Sequence, residues 1–133
     1  MKTYLPIMFT ILCLTAFFGC SDTSQKDYDE YKIEYYFELK KNNHVGTDWS
    51  HKVFYNNTTI RSGDIIKLKK NTDLDIKAEI CELDNHNDIG KASIILNTKT
   101  KTSDTVEIKV REKDGRYKGN TAIWLMYCTL TKK

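Results

Sequence analysis

The clearest signal in the chain is a period of two. Leu74, Ile76, Ala78 and Ile80 alternate with Asp75, Lys77 and Glu79, the pattern of a strand with one buried face. The same alternation recurs at Ile33, Tyr35, Phe37 and Leu39 and at Val106, Ile108 and Val110. Shorter runs that read as strands lie at 53–55, 58–60, 65–68 and 92–96. A longer one, 117–130, contains AIWLMYCTL, apolar on both faces, as suits a central strand covered on both sides. Turn residues separate these runs: KNNHVGTDWS at 41–50, Asn56-Asn57, Ser62-Gly63-Asp64, NTKTKTS at 97–103 and Asp114-Gly115. Asn56-Asn57 and Asp114-Gly115 predict tight hairpins, and Gly119-Asn120 a bulge. No segment beyond the N-terminal one has helical periodicity. The expected fold is all-β, an antiparallel β-sandwich of about seven to eight strands.

The N-terminus follows a different pattern. Lys2 supplies a positive start, Ile7 to Phe18 is apolar, and Gly19-Cys20 ends the run before the chain turns polar. A spanning helix wants about 20 apolar residues, and this run is shorter. Gly19-Cys20 resembles the lipobox of bacterial lipoproteins. The resemblance implies that residues 1–19 are a signal peptide and that Cys20 is acylated and holds the protein in a membrane of the bacterial cell envelope, outside the cytoplasm. An ordinary secretory signal or an uncleaved anchor is the alternative. Residues 20–30 carry no aliphatic side chain and read as a flexible tether, with the domain at 31–133.

Charge narrows the possible partners. Residues 1–19 hold one basic residue, Lys2, and no acid, so 20 Lys and Arg remain against 18 Asp and Glu. That balance gives no concentrated basic face and excludes a dedicated nucleic-acid binder. Lys67, Lys69, Lys70 and Lys77 form a mild cluster that reads as a solvated strand face. With Cys20 lipidated, Cys81 and Cys128 remain in the predicted domain. An oxidising compartment would allow them to pair, although small buried cysteines are also common in cores.

Oxygen chemistry is concentrated in one place. Glu82, Asp84, Asn85, Asn87 and Asp88 crowd a loop between two predicted strands. The segment CELDNHNDIG, 81–90, is similar to the strand-loop-strand segment of the calcium-dependent lipid-binding β-sandwiches of synaptotagmins and protein kinase C. GTDWSHKVFYN, 46–56, is similar to the first calcium loop of that family. This likeness implies a calcium site in which Asp48, Glu82, Asp84 and Asp88 supply carboxylates. Four strands between the two loops would return both to one end. An immunoglobulin-like sandwich accounts equally well for the strand pattern, and the plain alternative for the acidic loop is a surface turn whose Asp and Asn cap their own backbone.

Other residues of the two loops are candidate ligand contacts. Trp49 would insert into a membrane interface or stack on a sugar if exposed, and otherwise fold back as a plug over the sandwich. His44, His51 and His86 would suit zinc or copper if the loops converge. No catalytic motif is present: there is no G-x-S-x-G, H-E-x-x-H or glycine-rich phosphate loop. The expected function is therefore a non-catalytic binding module of the envelope, contacting a protein or glycan through loops 42–51 and 82–90, with calcium as the organising cofactor. That expectation fails if the two loops lie at opposite ends. The second reading is an immunity- or inhibitor-type envelope protein that binds a protein through a strand edge or sheet face, with Tyr31 and Tyr36 exposed.

Overall fold

In the computed structural model, which describes residues 27–84 and 87–133, the period-two segments form eight strands. In chain order they are β1 (Tyr28–Asn42), β2 (Trp49–Tyr55), β3 (Thr58–Ile60), β4 (Ile65–Lys69), β5 (Asp73–Glu82), β6 (Ile89–Asn97), β7 (Ser103–Arg111) and β8 (Thr121–Lys132). Two antiparallel four-stranded sheets result, ordered β4-β1-β8-β7 and β3-β2-β5-β6. The all-β sandwich expected from the pattern is the fold.

Strand β5 shows what fixes the register. Leu74, Ile76 and Ile80 are fully buried while Asp75 and Lys77 face solvent. Ile33, Ile108, Val110 and Met126 meet them from the other sheet. Each such side chain stabilises the fold by about 1.5–3 kcal/mol. A slip of one residue would turn the whole apolar set to water and the charges inward.

Three hairpins, β2–β3, β5–β6 and β7–β8, stay within a sheet, and the other connections cross between sheets. The β2–β3 turn uses Asn56 and Asn57, both at positive φ, as the expected tight hairpin requires. On one side of the sandwich β6 lies close against β7. A Cβ added to Gly90 would come within 2.5 Å of the Lys109 carbonyl oxygen, so the two sheets approach this closely only because position 90 is glycine.

Several expectations need correction. Strand β1 begins at Tyr28, inside the stretch read as a tether, because Tyr28 to Lys32 pair with β4. Asp114-Gly115 does not form a tight hairpin and Tyr117 is not in a strand. The ladder closes where Glu112 N–H donates to the Asn120 carbonyl and Gly119 N–H to the Glu112 carbonyl, both at 2.9 Å, leaving a projecting loop. Gly119-Asn120 thus belongs to that loop and not to a strand bulge. Strand β8 is central in its sheet, yet among the described residues no further layer covers its outer face. Ile123, Leu125 and Tyr127 are half-buried there by neighbouring strands, and Tyr36 stacks on Tyr127 with centroids 4.5 Å apart. Tyr31 is buried and Tyr36 exposed. Cys81 and Cys128 are both free, because Cys81 points outward from one sheet and Cys128 inward from the other.

Candidate cation site

Strand pairing gathers the acid-bearing loops. Trp49 lies opposite Glu82 in the β2–β5 ladder, so the β1–β2 loop, 43–48, and the β5–β6 loop, 83–88, emerge at the same end. The β7–β8 loop, 112–120, joins them. Lys113 N–H donates to Asp88 Oδ1 at 3.1 Å, and Asn43 N–H to the Thr121 carbonyl at 3.1 Å.

Local chemistry shapes each loop. Asn42 clasps the first: its Nδ2 donates to the Gly46 carbonyl at 2.6 Å and its Oδ1 accepts from Val45 N–H at 2.9 Å. Val45 is thereby buried as a plug over the core. Gly46 has φ +126°, and a Cβ there would collide with the Glu82 carboxylate. In the second loop Asp84 Oδ1 accepts the Asn87 N–H at 3.0 Å, and Leu83 N–H donates to the Asp48 carbonyl at 2.8 Å. The third loop presents Glu112 at its base and Tyr117 at its tip.

One carboxylate oxygen from each of Asp84, Asp88 and Glu112 lies within 4.8 Å of the others, an arrangement that could hold a metal ion. Asp84 is exposed, Glu112 half-buried and Asp88 buried, with 1% of its surface accessible. Asp88 Oδ1 takes the Lys113 amide, whereas its Oδ2 is buried without a hydrogen-bonding partner. Glu82, the neighbour behind the cluster, is 4% exposed and its Oε2 is likewise buried and unpartnered. Leaving such a group unsatisfied costs about 1–3 kcal/mol, and more when it is charged. Burial, with the charge and hydrogen bond of Asp84 and the charge of Glu112 behind it, pushes the Glu82 carboxyl up to about 6. A cation held by Asp84, Asp88 and Glu112 would give the buried Asp88 oxygen a partner. The donors are all oxygen, which suits a hard divalent ion over zinc or copper.

An open cleft of about 550 Å³ adjoins the cluster, and Asp48, Glu82, Asp84, Glu112, His44 and Tyr117 are among its lining residues. The His44 and Tyr117 rings are stacked, with centroids 5.4 Å apart and planes 19° from parallel. Arg116 lies over the Tyr117 ring at 5.7 Å.

The expected site residues are thus divided. Asp84 and Asp88 fall in the cluster, Glu82 lies beside it, and Asp48 stands in the cleft wall. Trp49 is half-buried edge-on against Trp124, with centroids 5.4 Å apart, and acts as the plug rather than an exposed contact. His51 packs between Phe37 and Trp124, where burial holds its pKa below the ordinary imidazole value, and His44 lines the cleft. No imidazole enters the cluster among the described residues, and His86 and Cys20 lie outside those residues. Sequence reasoning missed Glu112 and Tyr117. The signal was available: two strands separate the β5–β6 and β7–β8 loops, and an even count returns the chain to the same end.

Compared with models of protein families, with curated proteins and with solved structures, the chain matches none of them.

Proposed function

We propose that this protein is a non-catalytic binding module of the bacterial cell envelope, tethered through Cys20, whose apical loops are organised by calcium. The observation that carries the reading is the buried, unpartnered Oδ2 of Asp88 inside a cluster of three carboxylates drawn from two different loops. A carboxylate that merely capped a turn needs no such burial: Asp64, which accepts the Arg61 N–H at 2.7 Å, stays partly exposed. Calcium takes about 6–8 oxygen ligands in flexible geometry. Asp84, Asp88 and Glu112 supply part of such a shell, with water or a ligand completing it. The likeness of segments 46–56 and 81–90 to calcium-binding loops of the synaptotagmin kind supports the choice of ion, and the lipobox-like Gly19-Cys20 supports the location.

The test is thermal unfolding of the full-length protein in chelator and in millimolar calcium. A ligand that binds only the folded state stabilises it by about 2.7 kcal/mol at a hundredfold excess over Kd, or about 10 °C in midpoint for a domain of this size. A rise of that order supports the reading, and identical midpoints in chelator and calcium would sink it.

A further inference from the structure

Strand β1 is much longer than its neighbour β4, and half of one edge is left open. Tyr28 to Lys32 pair with β4, and the 61–64 turn continues that side. Ile33 N–H donates to the Asp64 carbonyl at 2.9 Å, the Ile33 carbonyl accepts the Gly63 N–H at 2.7 Å, and Tyr35 N–H donates to Ser62 Oγ at 2.8 Å. From Tyr36 to Asn42, β1 pairs only with β8 among the described residues. We infer that this free edge joins a second copy of the chain, the two β1 strands running antiparallel about a two-fold axis at Leu39.

The backbone supplies the first argument. Strand residues turn their amide groups alternately to the two sides, so Phe37 and Leu39 present N–H and C=O on the same side as Ile33 and Tyr35, where no described residue meets them. An unpaired row of this kind is a template for another strand. Length fixes the axis. Leu39 is the middle of 36–42, so pairing centred there uses the whole free stretch and stops short of Ser62 in both copies. The side chains supply the second argument. Centred at Leu39, the pairing sets Glu38 opposite the partner's Lys40 and Lys40 opposite the partner's Glu38, two pairs of opposite charge from one Glu-Leu-Lys sequence. Glu38 and Lys40 share one face of the strand, where they meet at 2.8 Å, and Glu38 also accepts the Tyr127 hydroxyl at 2.9 Å. The β1–β8 register skips Lys40. Bulges blunt many sheet edges, but this one keeps Lys40 beside Glu38, where the pairing needs it. Leu39 supplies the third argument. It lies opposite the buried Trp124, and so on the core-facing side of β1, yet is 40% exposed. Set against the partner's Leu39, it gains an apolar contact. Two copies consume both free edges, so the assembly closes as a dimer.

The experiment is sedimentation equilibrium of the full-length protein in density-matched detergent, beside Glu38→Lys, Lys40→Glu and the double variant. The wild type is expected as a dimer. Glu38→Lys alone turns both cross-strand pairs into Lys against Lys, and Lys40→Glu alone into Glu against Glu, so each should weaken the dimer about tenfold or more. Mixed in equal amounts, the two single variants should associate again, because each then meets the opposite charge. The double variant should dimerise as the wild type does. Recovery on mixing separates loss of pairing from loss of fold, since two misfolded chains would not restore one another. Four results overturn the inference: a wild type that stays monomeric, a wild-type assembly larger than a dimer, single variants that dimerise as strongly as the wild type, or single variants whose mixture and double variant remain monomeric. The third is the outcome expected if the apolar run at 7–18 held the copies together.

Discussion

The sandwich carries two populations of carboxylate, and they are treated differently. On the sheet faces several acids have a cation within reach: Glu34 meets Lys32 at 2.8 Å, Glu38 meets Lys40 at 2.8 Å, Glu79 meets Lys91 at 2.9 Å and Asp29 meets Lys132 at 2.9 Å. These pairs sit at the surface, where solvent screens them and each contributes about 0–1 kcal/mol. At the apex Glu82 and Asp88 are buried, and each keeps one oxygen with no partner. Among the described residues no lysine pairs with the two buried acids, and the cluster of Asp84, Asp88 and Glu112 beside them could hold a cation. The lesson is that burial and pairing, more than the density of acids along the chain, mark where the chemistry lies.

The largest break in this contrast comes from the first loop. Gly46→Ala forces an L-residue into φ +126° and drives its Cβ into the Glu82 carboxylate. The loop must give way, so destabilisation of about 2–4 kcal/mol is expected from strain and lost packing, read as a drop in the denaturation midpoint. The calcium response should weaken with it, because Glu82 is displaced.

A smaller effect follows from the raised Glu82 carboxyl. Its folded-state pKa of about 6 lies above the ordinary 4.5. The stability it contributes is therefore fully present below pH 4.5 and is lost as pH rises through about 6. In chelator the protein should be more stable at pH 5 than at pH 7 by on the order of 1–2 kcal/mol from this group. Glu82→Gln should flatten that dependence and raise the chelator midpoint at pH 7. Loss of stability on moving from pH 7 to pH 5 that is unchanged in Glu82→Gln would contradict the assignment.

The smallest effect is expected on the faces. Glu79→Gln removes the pair with Lys91, and Glu34→Gln the pair with Lys32. Each should shift stability by no more than about 0.5 kcal/mol and leave the calcium response untouched. If either variant abolishes that response, the two carboxylate populations are not distinct.

The fold was largely legible because period-two alternation is a local property. Leu74, Ile76 and Ile80 declare their strand from their own neighbours, and Asn56-Asn57 declares its turn. The edges were less legible. Tyr28 is drawn into β1 by Ile65 to Lys69, a partner about forty residues away, and no local signal carries that. Asp114-Gly115 is the strongest turn dipeptide in the chain, yet the ladder closes outside it, at Glu112 and Asn120. Tertiary pairing there overrides turn propensity. The site was half legible. Asp84 and Asp88 stand in a visible acidic run, whereas Glu112 reaches them from a loop 24 residues further on, flanked by lysine and arginine that disguise it as surface. Cys81 and Cys128 fall on strands as expected, but which face each takes depends on parity against a core that only the assembled sheets define.

The most direct test of the cation site is calorimetric titration of calcium into the wild-type protein and into Asp88→Asn. Asparagine keeps the size of the side chain and an oxygen for the Lys113 amide while removing the charge. One calcium per wild-type chain is predicted, with Asp88→Asn showing no measurable binding and a midpoint in chelator at or above that of the wild type. Equal calcium binding by the two proteins, or none by the wild type, would contradict the account.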